Sequence, residues 1–163
     1  FVGLERWEEV LGARLAAIAE RYDFILIDCP PSLGHLTILA LVAATGVLIP
    51  LQCEYFALEG VSELLSTVRR VTSALNPELE LAGIPLTMYD DRMKLTRDVE
   101  REVRAHFPAK VFEAVVPRNV RLAEAPSHGM PALKLELQSK GAQAYLALAG
   151  EMLRRMEAKE VVA

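Results

Sequence analysis

Four short apolar runs recur along the chain, separated by stretches with helical periodicity, and this alternation limits the fold to one class. "FILID" (Phe24–Asp28) and "GVLIPL" (Gly46–Leu51) read as strands buried on both faces, and "LAGIPLTM" (Leu81–Met88) and "VFEAVV" (Val111–Val116) as two further strands. Leu4, Trp7, Leu11, Leu15, Ile18 and Tyr22 recur at helical spacing and predict a helix over Leu4–Arg21. Further helices are predicted for "HLTILALVAAT", for Val61 to Leu75 with a stop at Asn76-Pro77, for Leu95 to Phe107, and for Gln138–Met156. Strands and helices in this order imply right-handed crossovers and a doubly wound, mostly parallel sheet with helices on both faces. Pro85 inside the third run argues for an edge position or a strand start there. With no linker or repeat, residues 1–163 are expected to form one α/β domain.

Apolar stretches such as Leu36–Ala44 fall well short of the roughly 20 residues of a membrane span. Cys29 and Cys53 sit among apolar neighbours and read as buried, reduced thiols of a cytoplasmic protein. A net charge of −4 argues against a uniformly basic nucleic-acid binder. The charge is uneven, however: Arg92 to Lys140 holds ten Lys/Arg against six Asp/Glu, leaving eight against sixteen elsewhere. That segment permits a nucleic-acid face.

Ligands of open α/β sheets bind beyond the carboxyl ends of the strands. "DCPPSLG", "QCEYFALEG", "MYDDRMK" and "PRNVRLAEAPSHG" emerge there. Asp28 ends an apolar strand, where P-loop NTPases place the acid that holds Mg²⁺, often through water. Alone, such an acid is more often a cap or a strand-end charge. The two prolines after it fix the exit path toward a helix start at Ser32-Leu33-Gly34. His35, His106 and His128 read as structural, and no metal-ligand spacing joins His, Cys and acidic residues.

"YDFILIDCPPSLG" resembles the Walker B strand and switch segment of the ParA/Soj partitioning ATPases, within the deviant Walker A group. "LIPLQCEYFALEG", "LTMYDDR", "VPRNVRLAEAPSHGMPA" and "SKGAQAYLALAGEML" continue the resemblance in the family's order from Tyr22 to about Leu153. The resemblance implies ATP and Mg²⁺ as ligands, with Asp28 the catalytic, Mg²⁺-associated acid. It assigns Pro30, Pro31 and Ser32 to the γ-phosphate switch. It sets Met88, Pro117, Arg118 and Asn119 at the adenine, Arg118 either stacking on the base or pointing to solvent. Glu54–Gly60 would lie where two ATP-bound subunits meet as a homodimer.

The family's K-G-G-x-G-K-T-T loop, which cradles phosphates with backbone N–H groups, has no counterpart here. The chain also opens on Phe1 rather than Met. It is therefore expected to start after that loop and its strand, and to be inactive as an ATPase alone. Lys94, Arg97, Arg101 and Arg104 share a helix face opposite Leu95, Val99 and Val103. Such a face is usually just solvated. In this family it would be a non-specific DNA surface, extended by Arg121, Lys134 and Lys140. The implied partners are non-specific DNA and a ParB-like centromere-binding protein, with the protein cytoplasmic on the nucleoid and no membrane bound. A MinD-like membrane-associated ATPase is the alternative, disfavoured by the short, mixed-charge tail "RRMEAKEVVA". An iron–sulfur reductase component fits neither cysteine's context, and a non-hydrolysing binding module is the remaining reading.

Overall fold

Asn76 shows how one residue ends two helices. Its amide donates to the carbonyls of Leu41 (3.0 Å), Val42 (3.1 Å) and Ala44 (2.7 Å), where helix α2 (His35–Ala43) stops. Its own N–H closes α3 (Ala57–Ala74) onto Val71 O at 2.9 Å. The computed structural model describes residues 6–30, 32 and 34–160, the last two without their side chains. The described chain divides into two compact units, 1–47 with 59–82 and 48–58 with 83–163.

In the first unit, Leu41, Val68, Val71 and Leu79 form the core, with Ile38, Val42 and Leu64 packed against it. The helix predicted over Leu4–Arg21 is instead three pieces: a 3₁₀ turn at Trp7–Glu9, α1 (Val10–Ala16) and a second 3₁₀ turn at Ala19–Arg21. Leu4 lies outside the described residues. Gly12 sits inside α1, where glycine weakens a helix, and a Cβ added there would lie 3.8 Å from Ala43.

The strand predicted over Phe24–Asp28 is not formed; the segment belongs to no strand, and Leu26 is 82% exposed. No described strand lies alongside it to take its N–H and C=O groups, and an apolar run cannot be a buried strand without neighbours. Cys29, expected to be buried, is exposed with it, whereas Cys53 is buried as expected.

The sheet contains β1 (Gly46–Leu48), β2 (Leu51–Gln52), β3 (Glu80–Tyr89) and β4 (Val111–Pro117). The predicted Gly46–Leu51 strand breaks at Ile49-Pro50, since Pro50 has no N–H to donate to a ladder. β3 is the middle strand, pairing with β1, β2 and β4. The β2–β3 and β3–β4 pairs are parallel, as the α/β alternation predicts.

Pro85 is therefore not at an edge; it is fully buried in the middle strand. A bulge accommodates it: Ile84 pairs with Val111 and Leu86 with Val115, so β4 runs four residues while β3 runs two. The bulge frees the N–H groups of Glu113 and Ala114, and the Glu151 carboxylate on α7 (Lys140–Glu160) accepts both, at 3.0 and 2.9 Å. α7 packs along β4 over a core of Phe112, Val116 and Leu148.

Candidate functional site

In the second unit, the ends of β2, β3 and β4 converge with α4 (Lys94–His106) on a small hollow of about 50 Å³. Gln52, Cys53, Met88, Asp90, Thr96 and Arg118 are among its lining residues. Met88 has φ +52°, the left-handed region that a non-glycine side chain rarely occupies. It falls at a second irregularity in the β3–β4 register, where β3 advances from Leu86 to Tyr89 while β4 advances only from Val115 to Pro117. Such strained residues concentrate at ligand-binding sites.

The turn after β3 is held by its own charges. Arg92 donates to Asp90 through Nε (2.9 Å) and a terminal nitrogen (2.7 Å), and its backbone N–H adds a bond of 3.1 Å. These bonds, with the nearby Arg118 charge, hold the Asp90 carboxyl down at about 2. On the β4 side, Arg118 N–H donates to Tyr89 O at 3.0 Å. Asn119 caps α5 (Val120–Glu124) by accepting from Arg121 N–H at 3.0 Å. Three of the residues expected at a base, Met88, Arg118 and Asn119, thus belong to connected strand ends. Pro117, the fourth, is the last residue of β4.

Sequence reasoning missed the groups that tie α4 to this place. The Tyr89 hydroxyl donates to Glu100, which also accepts from Arg104 Nε at 2.8 Å. Burial and the Glu100 carboxylate push the Tyr89 hydroxyl up to about 12. Burial, then the same carboxylate, pushes the Cys53 thiol up to about 11. The apolar and basic positions of α4 recur at helical spacing and could be read; a Tyr-Glu pair 11 residues apart leaves no pattern.

The basic helix face is partly as expected. Lys94, Arg97 and Arg101 are exposed, and Thr96, Val99 and Val103 are buried. Arg104 is half-buried against Glu100 and so leaves the outer face, and Leu95, expected on the buried side, is 40% exposed at the hollow. Arg97 donates to Asp91 O, and Arg101 pairs with Asp98. Arg121 pairs with Glu124 (2.9 Å) and Glu136 (2.6 Å), which reduces its free charge. Lys134 and Lys140 are exposed.

In the first unit, Asp28 is exposed on a segment that belongs to no strand. Ser32 O accepts from the Thr37 hydroxyl at 2.6 Å, which fixes the path into α2, and Gly34 caps that helix; Pro31 lies outside the described residues. Among the described residues no group of three or more His, Cys, Asp or Glu could hold a metal ion. A lone exposed carboxylate still suits Mg²⁺, which keeps several waters and takes one or two carboxylates together with substrate phosphates. A larger hollow of about 390 Å³ between α5, α6 (Ala132–Leu135) and α7 is apolar, lined by residues such as Leu122, Met130 and Ala142, and no charged side chain lines it.

A protein-family profile described as an AAA domain (AAA_31) matches residues 1–81. The chromosome partitioning protein ParA of Myxococcus xanthus is 54% identical over 141 residues, 86% of this chain and 50% of that protein. The chromosome-partitioning ATPase Soj of Treponema pallidum is 55% identical over 141 residues, 86% of this chain and 56% of that one. Among solved structures, cobyrinic acid a,c-diamide synthase from Mycobacterium smegmatis, with bound ADP and magnesium, superposes with a TM-score of 0.79 at 35% identity. That match covers 97% of this chain and 57% of the synthase. The chain spans about half the length of the curated relatives it matches. Identity above one half over most of its residues, on a mostly parallel P-loop-type sheet, means that the chain belongs to the ParA/Soj family.

Proposed function

We propose that the chain serves an ATP-switched partitioning protein, contributing the base-binding edge, the Mg²⁺-associated acid and a DNA surface of one ATPase domain. The observation that carries this reading is Met88, strained at φ +52° beside Arg118 at the end of the middle strand. A hollow of about 50 Å³ cannot enclose a ligand, since ligand pockets run to roughly 300–1,000 Å³. It suits one edge of a flat base, with Arg118 over its face and the Pro117-Arg118-Asn119 turn along its rim.

Asp28 would hold Mg²⁺ through water, while Pro30, Pro31 and Ser32 line the γ-phosphate. Bound Mg²⁺ would neutralise charge on the β- and γ-phosphates during hydrolysis to ADP and phosphate. Residues 1–163 contain no glycine-rich phosphate loop, so the chain by itself should turn over no ATP. The ATP-bound form would be a homodimer meeting near Glu54–Gly60, where Tyr55 and Phe56 stack edge to face and are largely exposed. It would bind DNA non-specifically through Lys94, Arg97, Arg101, Arg121, Lys134 and Lys140, answer to a ParB-like partner, and reside on the nucleoid.

The test is nucleotide binding by the full-length protein. Arg118→Ala and Met88→Asp should each weaken MgATP by about tenfold, the loss of roughly 1.4 kcal/mol. Unchanged affinity in both variants would exclude this edge as the base site. For residues 1–163 alone, Mg²⁺-dependent turnover at the full-length rate would overturn the expected inactivity.

A further inference from the structure

Helix α4 borders the hollow and carries the basic face at once. Leu95 and Thr96 line the hollow together with Met88 and Arg118, and Lys94, Arg97 and Arg101 are exposed on the same helix. Tyr89 connects the two. Its carbonyl accepts from Arg118 N–H at 3.0 Å, so its backbone is held by the turn at the end of β4. Its hydroxyl donates to Glu100, in the middle of α4, and Arg104 Nε holds the same carboxylate at 2.8 Å. Burial and Glu100 keep the phenol protonated, and the Tyr89 and Arg104 bonds outweigh burial to keep Glu100 ionised, so donor and acceptor hold their roles at neutral pH. The rest of the buried α4 contact is Thr96, Val99 and Val103, a mostly apolar surface, and Arg97 adds a bond to Asp91 O in the turn after β3.

We propose that Tyr89 and Glu100 are positioning residues that couple occupancy of the hollow to the placement of the basic face of α4. The proposal rests on the nucleotide and DNA reading above. A base against Met88 and Arg118 also meets Leu95 and Thr96, so it interacts differently with different placements of α4. Such a difference in interaction is what allows a ligand to shift an equilibrium. The apolar contact alone lets the helix settle locally, whereas the Tyr89–Glu100 bond makes α4 follow the end of β3.

The test uses the full-length protein with Tyr89→Phe and Glu100→Gln, two conservative changes. Three quantities are measured: MgATP affinity, amide hydrogen exchange of residues 94–106 with and without MgATP, and the ratio of non-specific duplex affinities with and without MgATP. In the parent, MgATP should alter exchange in α4, and the affinity ratio should lie in the range of about 5–150 typical of coupled sites. Both variants should retain MgATP affinity, lose the MgATP-dependent change in exchange, and bring the ratio close to one. A purely structural role would lower stability and leave the ratio as it is. The proposal is overturned if either variant keeps the parent's exchange response and ratio, or if the parent binds MgATP with no exchange response in α4. A parent that binds no MgATP sinks the nucleotide reading itself, and the coupling with it.

Discussion

Glu151 completes a strand that Pro85 disrupts. The bulge opposite Pro85 turns two adjacent N–H groups of β4 out of the ladder, and the Glu151 carboxylate, itself buried, accepts both while pairing with Arg155 at 2.7 Å. Arg155 in turn donates to Val111 O at 2.8 Å and stacks over the Phe112 ring at 4.2 Å. Glu151→Ala would leave two N–H donors without an acceptor and the Arg155 guanidinium without its carboxylate, a loss of about 3 kcal/mol. Urea unfolding of the full-length protein should show a lower midpoint at unchanged slope.

The same carboxylate predicts a pH dependence. Burial alone would raise its pKa, but the N–H groups of Ala114 and Glu113 and the Arg155 charge outweigh burial and lower it. A group lowered in the folded state adds stability above its unfolded value, about 4.3, and that stability disappears as pH falls through the folded value. The stability gap between the parent and Glu151→Gln should therefore be constant near neutrality and narrow below about pH 4. A gap that widens on acidification would reverse the sign of the argument.

Gly83 lies against the same ring. A Cβ there would run into Phe112 Cε2 and lie 3.0 Å from Lys110 O, and Phe112 is fully buried. Gly83→Ala should cost about 1–3 kcal/mol by overpacking. Phe112→Leu should recover part of that loss in the double variant, so a thermal-melt double-mutant cycle should give a coupling of at least about 0.5 kcal/mol. Additive losses would mean that the backbone, not the ring, sets the limit.

These packing relationships mark where the sequence could be read and where it could not. Strands β3 and β4 and helices α2, α3, α4 and α7 were legible because burial imposes a period, and Asn76-Pro77 stopped α3 as a stop signal should. Pro85 misled because a proline in a strand usually marks an edge; its remedy lies in a bulge on another strand and a carboxylate 66 residues further on, which no local pattern encodes. The run Phe24–Asp28 has a strand's composition, but a strand exists only with partners to pair with. Resemblance singles out Asp28, Met88 and Arg118 as candidates, whereas the φ of Met88 and the Tyr89–Glu100 bond are visible only in coordinates.

The last prediction concerns DNA. Replacing Arg97 and Arg101 with Glu in the full-length protein should weaken ATP-dependent, non-specific duplex binding and leave DNA-free ATPase activity intact. Both side chains are exposed on the face of α4 away from buried Val99 and Val103, so fold and solubility should hold. Neither is a bare cation: Arg101 pairs with Asp98, and Arg97 donates to Asp91 O. Exposed pairs of this kind contribute about 0–1 kcal/mol, so a phosphate can displace them at little cost. Removing one cation–phosphate interaction should reduce the log–log salt slope by about 0.9, and reversal to Glu adds repulsion that Ala does not. Arg104 serves as the internal control, because its guanidinium is committed to Glu100 and half-buried; Arg104→Gln should alter stability more than salt slope. A salt titration with ATP present compares the parent with the Ala pair, the Glu pair and Arg104→Gln. Equal affinities and slopes for the parent, the Ala pair and the Glu pair would reduce this stripe to a solvated helix face and move the DNA surface to Lys134 and Lys140, two exposed cations beyond α5.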